Sequence, residues 1–301
     1  MPHALLTRGL ARRMAPDFAV RDLSLTVPTG AVYGLLGPNG AGKTTTLRLI
    51  LDLLRPDAGE VEILGVNARR YPAEARRRIG YVPERLGIPG WMTVARALRH
   101  HAVFFPSWSR PYAEELLLRM ELPADRRVRH LSKGQAGKLA LLLALAHRPS
   151  LLILDEPTDG LDPVARRDFT ELLLEYVADT GATALISSHL VHELERVADW
   201  IGVIDRGSLV VETPLEAFRR SIKRLRVGTG TPLPGADGLP FDVLARVQRP
   251  REELWSVRGW EPAMGAVLAE RGVEVRGVVD LDLEDCYVEL LRGRGDPEEG
   301  R

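Results

Sequence analysis

The sequence predicts an α/β protein with a largely parallel sheet, an all-helical insert and a small α+β module at its C-terminal end. Three observations carry that expectation. From Asp22 to Ser188, short aliphatic or β-branched runs alternate with helical patterns. Between Pro83 and Pro149 the apolar residues instead recur at three- and four-residue spacing. Residues 226–240 then bring together Gly228, Gly230, Pro232, Pro234, Gly235, Gly238 and Pro240, a turn-rich boundary.

Taken in chain order, Leu23 to Val27 alternates as a half-buried strand. Ala31 to Leu36 is a short apolar strand that runs into the glycine-rich stretch Gly37 to Gly42, and Lys43 to Leu54 reads as the helix that follows. Glu60 to Leu64 and Ile79 to Val82 read as further strands, and Ser150 to Leu154 and Ala182 to Ile186 as buried ones. The insert holds helices over Thr93 to Phe105, Pro111 to Met120 and Gly134 to His147. After the boundary, Phe241 to Val247 and Glu253 to Val257 alternate as strands, while Ala263 to Glu270 and Asp282 to Leu291 look helical. The expected division is a main domain over 1–225 with the insert at about 84–148, a linker over 226–240, a module over 241–292 and a disordered tail over 293–301. No internal repeat is visible.

Composition excludes several classes. With 301 residues, 45% hydrophobic and 27% charged, the chain is neither fibrous nor wholly disordered and can bury a substantial core. Lys+Arg and Asp+Glu both number 41, so a polybasic partner surface is not signalled. Only Lys43, Lys133, Lys138 and Lys223 are lysine, an arginine preference read as coding bias. The single cysteine, Cys286, cannot close an intrachain disulfide and excludes a Cys-based zinc site, which fits the cytosol. No stretch approaches the roughly 18 to 20 consecutive apolar residues that span a bilayer. Arg8, Arg12 and Arg13 are not followed by an apolar run with a cleavage site, so no secretory signal is expected.

Three motifs carry chemistry. Gly37-Pro-Asn-Gly-Ala-Gly-Lys-Thr44 matches a phosphate-binding loop and lies between a strand and a helix, as that loop must. Its glycines let successive backbone N–H groups turn around an anion, the helix adds its positive dipole end, and Lys43 adds a full charge. Thr44 offers a hydroxyl to Mg²⁺. Leu151-Leu-Ile-Leu-Asp155-Glu156 is an aliphatic strand ending in two carboxylates that point differently. Asp155 can hold Mg²⁺ through water, while Glu156 can take a proton from an attacking water. Alone such a pair is usually a solvated helix start; the upstream loop and Pro157 favour the functional reading. In Leu131-Ser132-Lys133-Gly134-Gln135, the serine before an apolar helix is locally an ordinary N-cap.

The loop, then Leu-Ser-Lys-Gly-Gln, then Asp-Glu, then Asp159-Gly-Leu-Asp162-Pro, then Ser-Ser-His189, in that order, resembles the ATP-binding subunit of ABC transporters over roughly Ala15 to Leu215. The resemblance implies a P-loop NTPase with a mixed-sheet core, and ATP and Mg²⁺ as ligands. It implies two such chains facing head to tail, a homodimer being plausible because Ser132, Glu156 and His189 are all present. Each ATP would lie between the loop of one chain (Gly37, Pro38, Asn39, Gly40, Ala41, Gly42, Lys43, Thr44, Thr45) and Ser132, Gly134 and Gln135 of the other. In that scheme Asp162 couples the two sites, Glu156 is the general base, and His189 holds the γ-phosphate and attacking water. Thr44, Asp155 and Glu84 face the metal. Hydrolysis would reopen the dimer and drive a separate multi-span membrane subunit, with the ATPase peripheral on the inner face of the cell membrane. The segment Asp280 to Leu291 is similar to the C-terminal part of exporter-type subunits and tilts the reading to export.

Three positions depart from the family pattern. Glu84 stands where glutamine is frequent, so an ionised side chain only accepts. Lys133 stands where glycine is commonest, and a positive φ there would strain it. Met14 stands where an aromatic usually stacks on adenine, with Phe18 as a substitute.

The remaining candidates carry less. His189 and His192 at i and i+3 have a metal-pair spacing but read better as helix-start residues. His100 and His101 are expected at the surface. Trp91, Phe104, Phe105 and Trp108 are either core of the insert or a groove that receives the membrane subunit. The rival function is a soluble ABC-type ATPase acting on nucleic acid or ribosomes. Neutral charge, a single ATPase domain and the absence of a coiled-coil insert argue against it, so no nucleic-acid partner is expected. A P-loop kinase would leave Ser132, Asp162 and His189 without a role.

Overall fold

A computed structural model describes residues 2–15, 18–228 and 238–294. The chain divides into two compact units, Met1–Leu190 with Val197–Glu212, and Val191–Arg196 with Thr213–Arg301.

The first unit opens with β1 (His3–Arg13), β2 (Ala19–Leu23), β3 (Thr26–Pro28) and β4 (Val32–Leu36), then α1 (Lys43–Ile50), β5 (Ala58–Ile63), β6 (Val66–Asn67), α2 (Pro72–Arg77) and β7 (Ile79–Val82). The insert follows as α3 (Val94–Ala102), α4 (Arg110–Arg119) and α5 (Lys133–Leu145). The chain then returns through β8 (Leu151–Asp155), α6 (Pro163–Thr180) and β9 (Thr183–Ser188). After α7 (Val191–Leu194), which belongs to the second unit, come β10 (Trp200–Asp205) and β11 (Ser208–Pro214).

Two sheets organise this unit. One has the order β11-β10-β4-β9-β8-β7, with β7, β8, β9, β4 and β10 paired in parallel. Its middle strands β4, β8 and β9 are buried along their whole length, which is why they read as continuous aliphatic runs and not as alternating ones. The other sheet is antiparallel, in the order β2-β1-β5-β6 with β3 also on β1. The strand expected at Leu23–Val27 is therefore two strands. The Thr7 hydroxyl donates to Leu23 O and accepts from Leu25 N, both at 2.9 Å, replacing a ladder bond where the chain bends.

Helix α1 stops at Ile50, four residues short of the expected Leu54, because Asp52 takes a left-handed φ of 54° and Leu53 N turns back to Arg48 O. Helix α5 begins with a reciprocal capping box: Ser132 Oγ accepts from Gln135 N, and Gln135 Oε1 accepts from Ser132 N. Every residue from Leu139 to Leu145 is buried, and each buried leucine adds about 1.5 to 3 kcal/mol of apolar transfer energy. Strand β7 lies so close to this helix that a Cβ at Gly80 would come within 2.6 Å of Ala144 O.

The second unit adds α8 (Leu215–Ser221), β12 (Ile222–Gly228), β13 (Asp242–Gln248), β14 (Glu252–Arg258), α9 (Met264–Glu270), β15 (Val275–Asp280) and α10 (Leu283–Arg292). Its antiparallel sheet has the order β13-β14-β12-β15 around buried Trp255, Leu225, Val227, Val257, Leu268 and Val273. The unit starts earlier than the expected module. Residues 226–228, assigned to a linker, complete β12 in the second sheet, and residues 213–225 belong to the same unit. Residues 229–237 of the linker and 295–301 of the tail lie outside the described residues. Asp282 caps α10 through Asp285 N, and α10 buries Leu283, Cys286, Tyr287, Glu289 and Leu290.

Among the described residues no helix is long and apolar enough to cross a membrane.

Candidate active site

The loop between β4 and α1 passes close to β10, where a Cβ at Gly37 would lie 2.4 Å from Ile204 O. Gly40 and Gly42 have φ of 82° and 108°, and Gly42 is the left-handed N-cap of α1 with no side chain capping the helix. The amides of the first turn thus have no side-chain acceptor, the state in which a helix start receives an anion. Lys43 is buried. Its ammonium donates to Gly37 O at 2.7 Å and Pro38 O at 3.3 Å and stands 3.1 Å from Glu156 Oε1.

Opposite the loop, the parallel register pairs Asp155 at the end of β8 with Ser187 in β9. Asp155 Oδ1 accepts from Ser187 Oγ and Thr44 Oγ1, each at 2.9 Å. Burial raises the carboxyl pKa of Asp155, those two hydrogen bonds oppose the rise, and the charges of Glu84 and Glu156 add to it. Glu156 follows with a left-handed φ of 45°, its N–H shared between Ser187 O at 3.2 Å and Ser187 Oγ at 3.0 Å. That turn sends its carboxylate away from Asp155. Oε1 meets Lys43, while Oε2 accepts from His189 N at 3.3 Å and lies 2.9 Å from His189 Nδ1.

Lys43, Thr44, Glu156 and His189 border a cavity of about 550 Å³ that is also lined by Phe18, Asn39, Gly40, Gly42, Thr45, Glu84 and Asp159; Asp155 and Ser187 are not among its lining residues. Gly37, Pro38 and Ala41 of the same loop are not among the lining residues. Phe18 enters the cavity because Met14 N and Ala15 N both bond to Phe18 O, folding the chain back. Its ring packs at Gly42, where a Cβ would lie 3.2 Å from Phe18 Cζ. Met14 does not line the cavity and is 47% exposed, so of the two adenine-stacking candidates Phe18 has the position.

Ser132, Gly134, Gln135 and Asp162 stay outside the cavity. The first three occupy the start of α5, and Asp162 caps α6 by accepting from Val164 N at 3.0 Å and Ala165 N at 2.9 Å. The two helix starts touch: a Cβ at Gly134 would come 3.0 Å from Ala165 Cβ. Lys133 is the first residue of α5 and has no positive φ, so the condition under which it would be strained does not arise. Its ammonium instead reaches Asp159 Oδ2 at 3.2 Å.

Sequence reasoning missed two residues. Asp159 was visible only as a letter of the Asp-Gly-Leu-Asp string, and Ser187 only as one preceding His189; strand register gives Ser187 its place. In the insert, Trp91 and Phe104 are exposed, whereas Phe105 stacks on buried His147 at a centroid distance of 3.9 Å. His101, expected at the surface, is half-buried against Phe105 and Trp108.

A family model described as ABC transporter matches residues 20–159. The bacitracin transport ATP-binding protein BcrA of Bacillus licheniformis is 34% identical over 302 residues, covering 97% of this chain and 99% of that protein. The Nod factor export ATP-binding protein I of Burkholderia lata is 39% identical over 211 residues, 68% of this chain and 69% of that protein. A solved structure of the ATP-binding subunit of an ABC transporter superposes with a TM-score of 0.65 at 30% identity, covering 72% of this chain and 92% of that one.

Proposed function

Because this chain belongs to the ABC transporter family of ATP-binding subunits, we propose that it is the ATP-driven motor of a membrane exporter, closing head to tail on a second copy of itself around ATP. ATP hydrolysis coupled to transport is the activity of its family. The export direction is supported by a relative whose name specifies Nod factor export.

The observation that carries the head-to-tail reading is a separation within one chain. The loop, Glu156 and His189 line a cavity, whereas Ser132, Gly134, Gln135 and Asp162 stand outside it. Ser132 and the start of α5 have the same helix-end polarity as the start of α1, suited to phosphate, but among the described residues they face no cavity of their own chain's loop. A second chain turned about a two-fold axis would bring its cavity to them.

Within the cavity, Lys43 supplies the positive charge for the phosphates, and the first-turn amides of α1 add donors. Asn39, Gly40, Gly42, Thr44 and Thr45 shape that cradle, with Phe18 beneath the base. Glu156 takes the proton of the attacking water as its oxygen bonds to the γ-phosphorus and the bond to ADP breaks. His189, fixed by its Nδ1 contact to Glu156, orients that water and the phosphate. Thr44, Asp155 and Glu84 are hard oxygen donors that suit Mg²⁺, which takes one or two carboxylates and leaves its other positions to phosphate and water. When bound, the metal neutralises developing charge on the transferred phosphoryl group.

The motor's partner would be a separate multi-span subunit docked on the insert, where Trp91 and Phe104 are exposed, holding the ATPase at the inner face of the cell membrane. Glu156→Gln, which binds but does not cleave ATP, is expected to give a stable ATP-dependent dimer by light scattering. A monomer in saturating ATP would overturn the sandwich.

A further inference from the structure

The contact between Lys133 and Asp159 joins two parts of the chain that the head-to-tail reading assigns to different ATP molecules. Asp159 lines the cavity of its own loop, and its N–H bonds to Glu156 O at 3.2 Å. Lys133 sits immediately after Ser132, at the helix start that serves the opposite chain's nucleotide. Its Nζ lies 3.2 Å from Asp159 Oδ2. The fit around it is close: Gly160 has φ of 62°, and a Cβ there would fall 2.1 Å from Lys133 Nζ, so the bare backbone at 160 makes room for the lysine. The ion pair is a direct side-chain link between the rim of the cavity and the start of α5.

We propose that this ion pair is a positioning link that couples the two composite sites, and that Lys133 is a positioning residue for ATP cooperativity. The inference rests on the head-to-tail reading. Triphosphate entering the cavity places negative charge beside Asp159, and the Lys133 ammonium holds that carboxylate to the start of α5 against the repulsion, a restraint felt at Ser132, one residue away on a capped helix start. With both partners about half exposed, the pair is a surface interaction, so an effect of about two- to fivefold is expected and not an all-or-none one.

The test uses the full chain in the Glu156→Gln background and follows ATP-dependent dimerisation by light scattering. Steady-state ATPase Hill coefficients in the otherwise unmodified chain accompany it. Lys133→Ala and Asp159→Asn are expected to raise the ATP midpoint for dimerisation about two- to fivefold and to lower the Hill coefficient towards one. Lys133→Arg, and the exchanged pair Lys133→Asp with Asp159→Lys, are expected to restore both. Equal midpoints and Hill coefficients for Lys133→Ala and the parent overturn the link while leaving the sandwich intact. An effect that neither Lys133→Arg nor the exchanged pair restores also overturns it, since only a non-electrostatic role would behave so. If the parent itself never dimerises with ATP, the head-to-tail reading fails and the link fails with it.

Discussion

Glu156 is held between an imidazole and an ammonium: its Oε2 lies 2.9 Å from His189 Nδ1 and its Oε1 3.1 Å from Lys43 Nζ. The carboxylate reaches both because its backbone adopts a left-handed φ of 45°, a conformation disfavoured for a residue with a Cβ and maintained here by the double acceptance of its N–H by Ser187. On the proposed roles of Glu156 as general base and His189 as the residue that orients it, His189→Ala is expected to lower the ATPase rate by about two to four orders of magnitude with little change in ATP affinity. Single-turnover hydrolysis alongside nucleotide titration separates the two; a rate within threefold of the parent would contradict the assignment.

Lys43→Ala is expected to have the reverse signature. The buried ammonium makes charge-assisted contacts that phosphate oxygens would take over from Gly37 O and Glu156, and losing it is expected to weaken ATP binding by about tenfold to a hundredfold. Fluorescence titration with a labelled ATP analogue measures this, and an unaltered melting temperature without nucleotide would show that the fold survives.

How far these residues were legible in the sequence depends on how local their geometry is. The loop from Gly37 to Thr45 and the aliphatic strand ending at Asp155 are continuous runs, and their structure follows from their own order. Strand β1 was missed because Gly9 and the arginines at 8, 12 and 13 break any alternation, and its pairing comes from segments 19–23, 26–28 and 58–63. The module boundary was misplaced for a related reason: the glycines and prolines that begin at Gly228 are conspicuous, whereas β12 just before them is defined by partners at 252–258 and 275–280. The role of Ser187 depends on parallel register between β8 and β9, which no local pattern encodes. The Lys133 ion pair likewise requires the starts of α5 and α6 to be adjacent.

Close packing of the insert's last helix on the sheet gives a stability test remote from the cavity. Gly80→Ala would place a methyl group 2.6 Å from Ala144 O and 2.7 Å from Leu152 Cδ2, one of them backbone that cannot swing aside. The expected cost is about 1 to 3 kcal/mol in urea unfolding, with ATP affinity changed little until the fold is lost. A variant as stable as the parent would mean that β7 and α5 separate more readily than their packing implies.

A pH dependence follows from the histidines of the same insert. Burial, followed by the neighbouring rings of His147 and His100, pushes His101 down from 6.5 to about 4, and burial likewise lowers His147, opposed by its bond to Ile79 O. Both rings are thus neutral in the folded chain where the unfolded chain already binds protons. Between pH 6.5 and about 4 the unfolded state carries more protons, so stability is complete above that window and declines as pH falls through it. His101→Gln removes one proton-binding group from the unfolded state and is expected to flatten the decline in melting temperature between pH 7 and pH 5 relative to the parent. Since every carboxylate is common to both chains, the difference between the two curves isolates the histidine, and superimposable curves would show that His101 titrates normally in the folded protein.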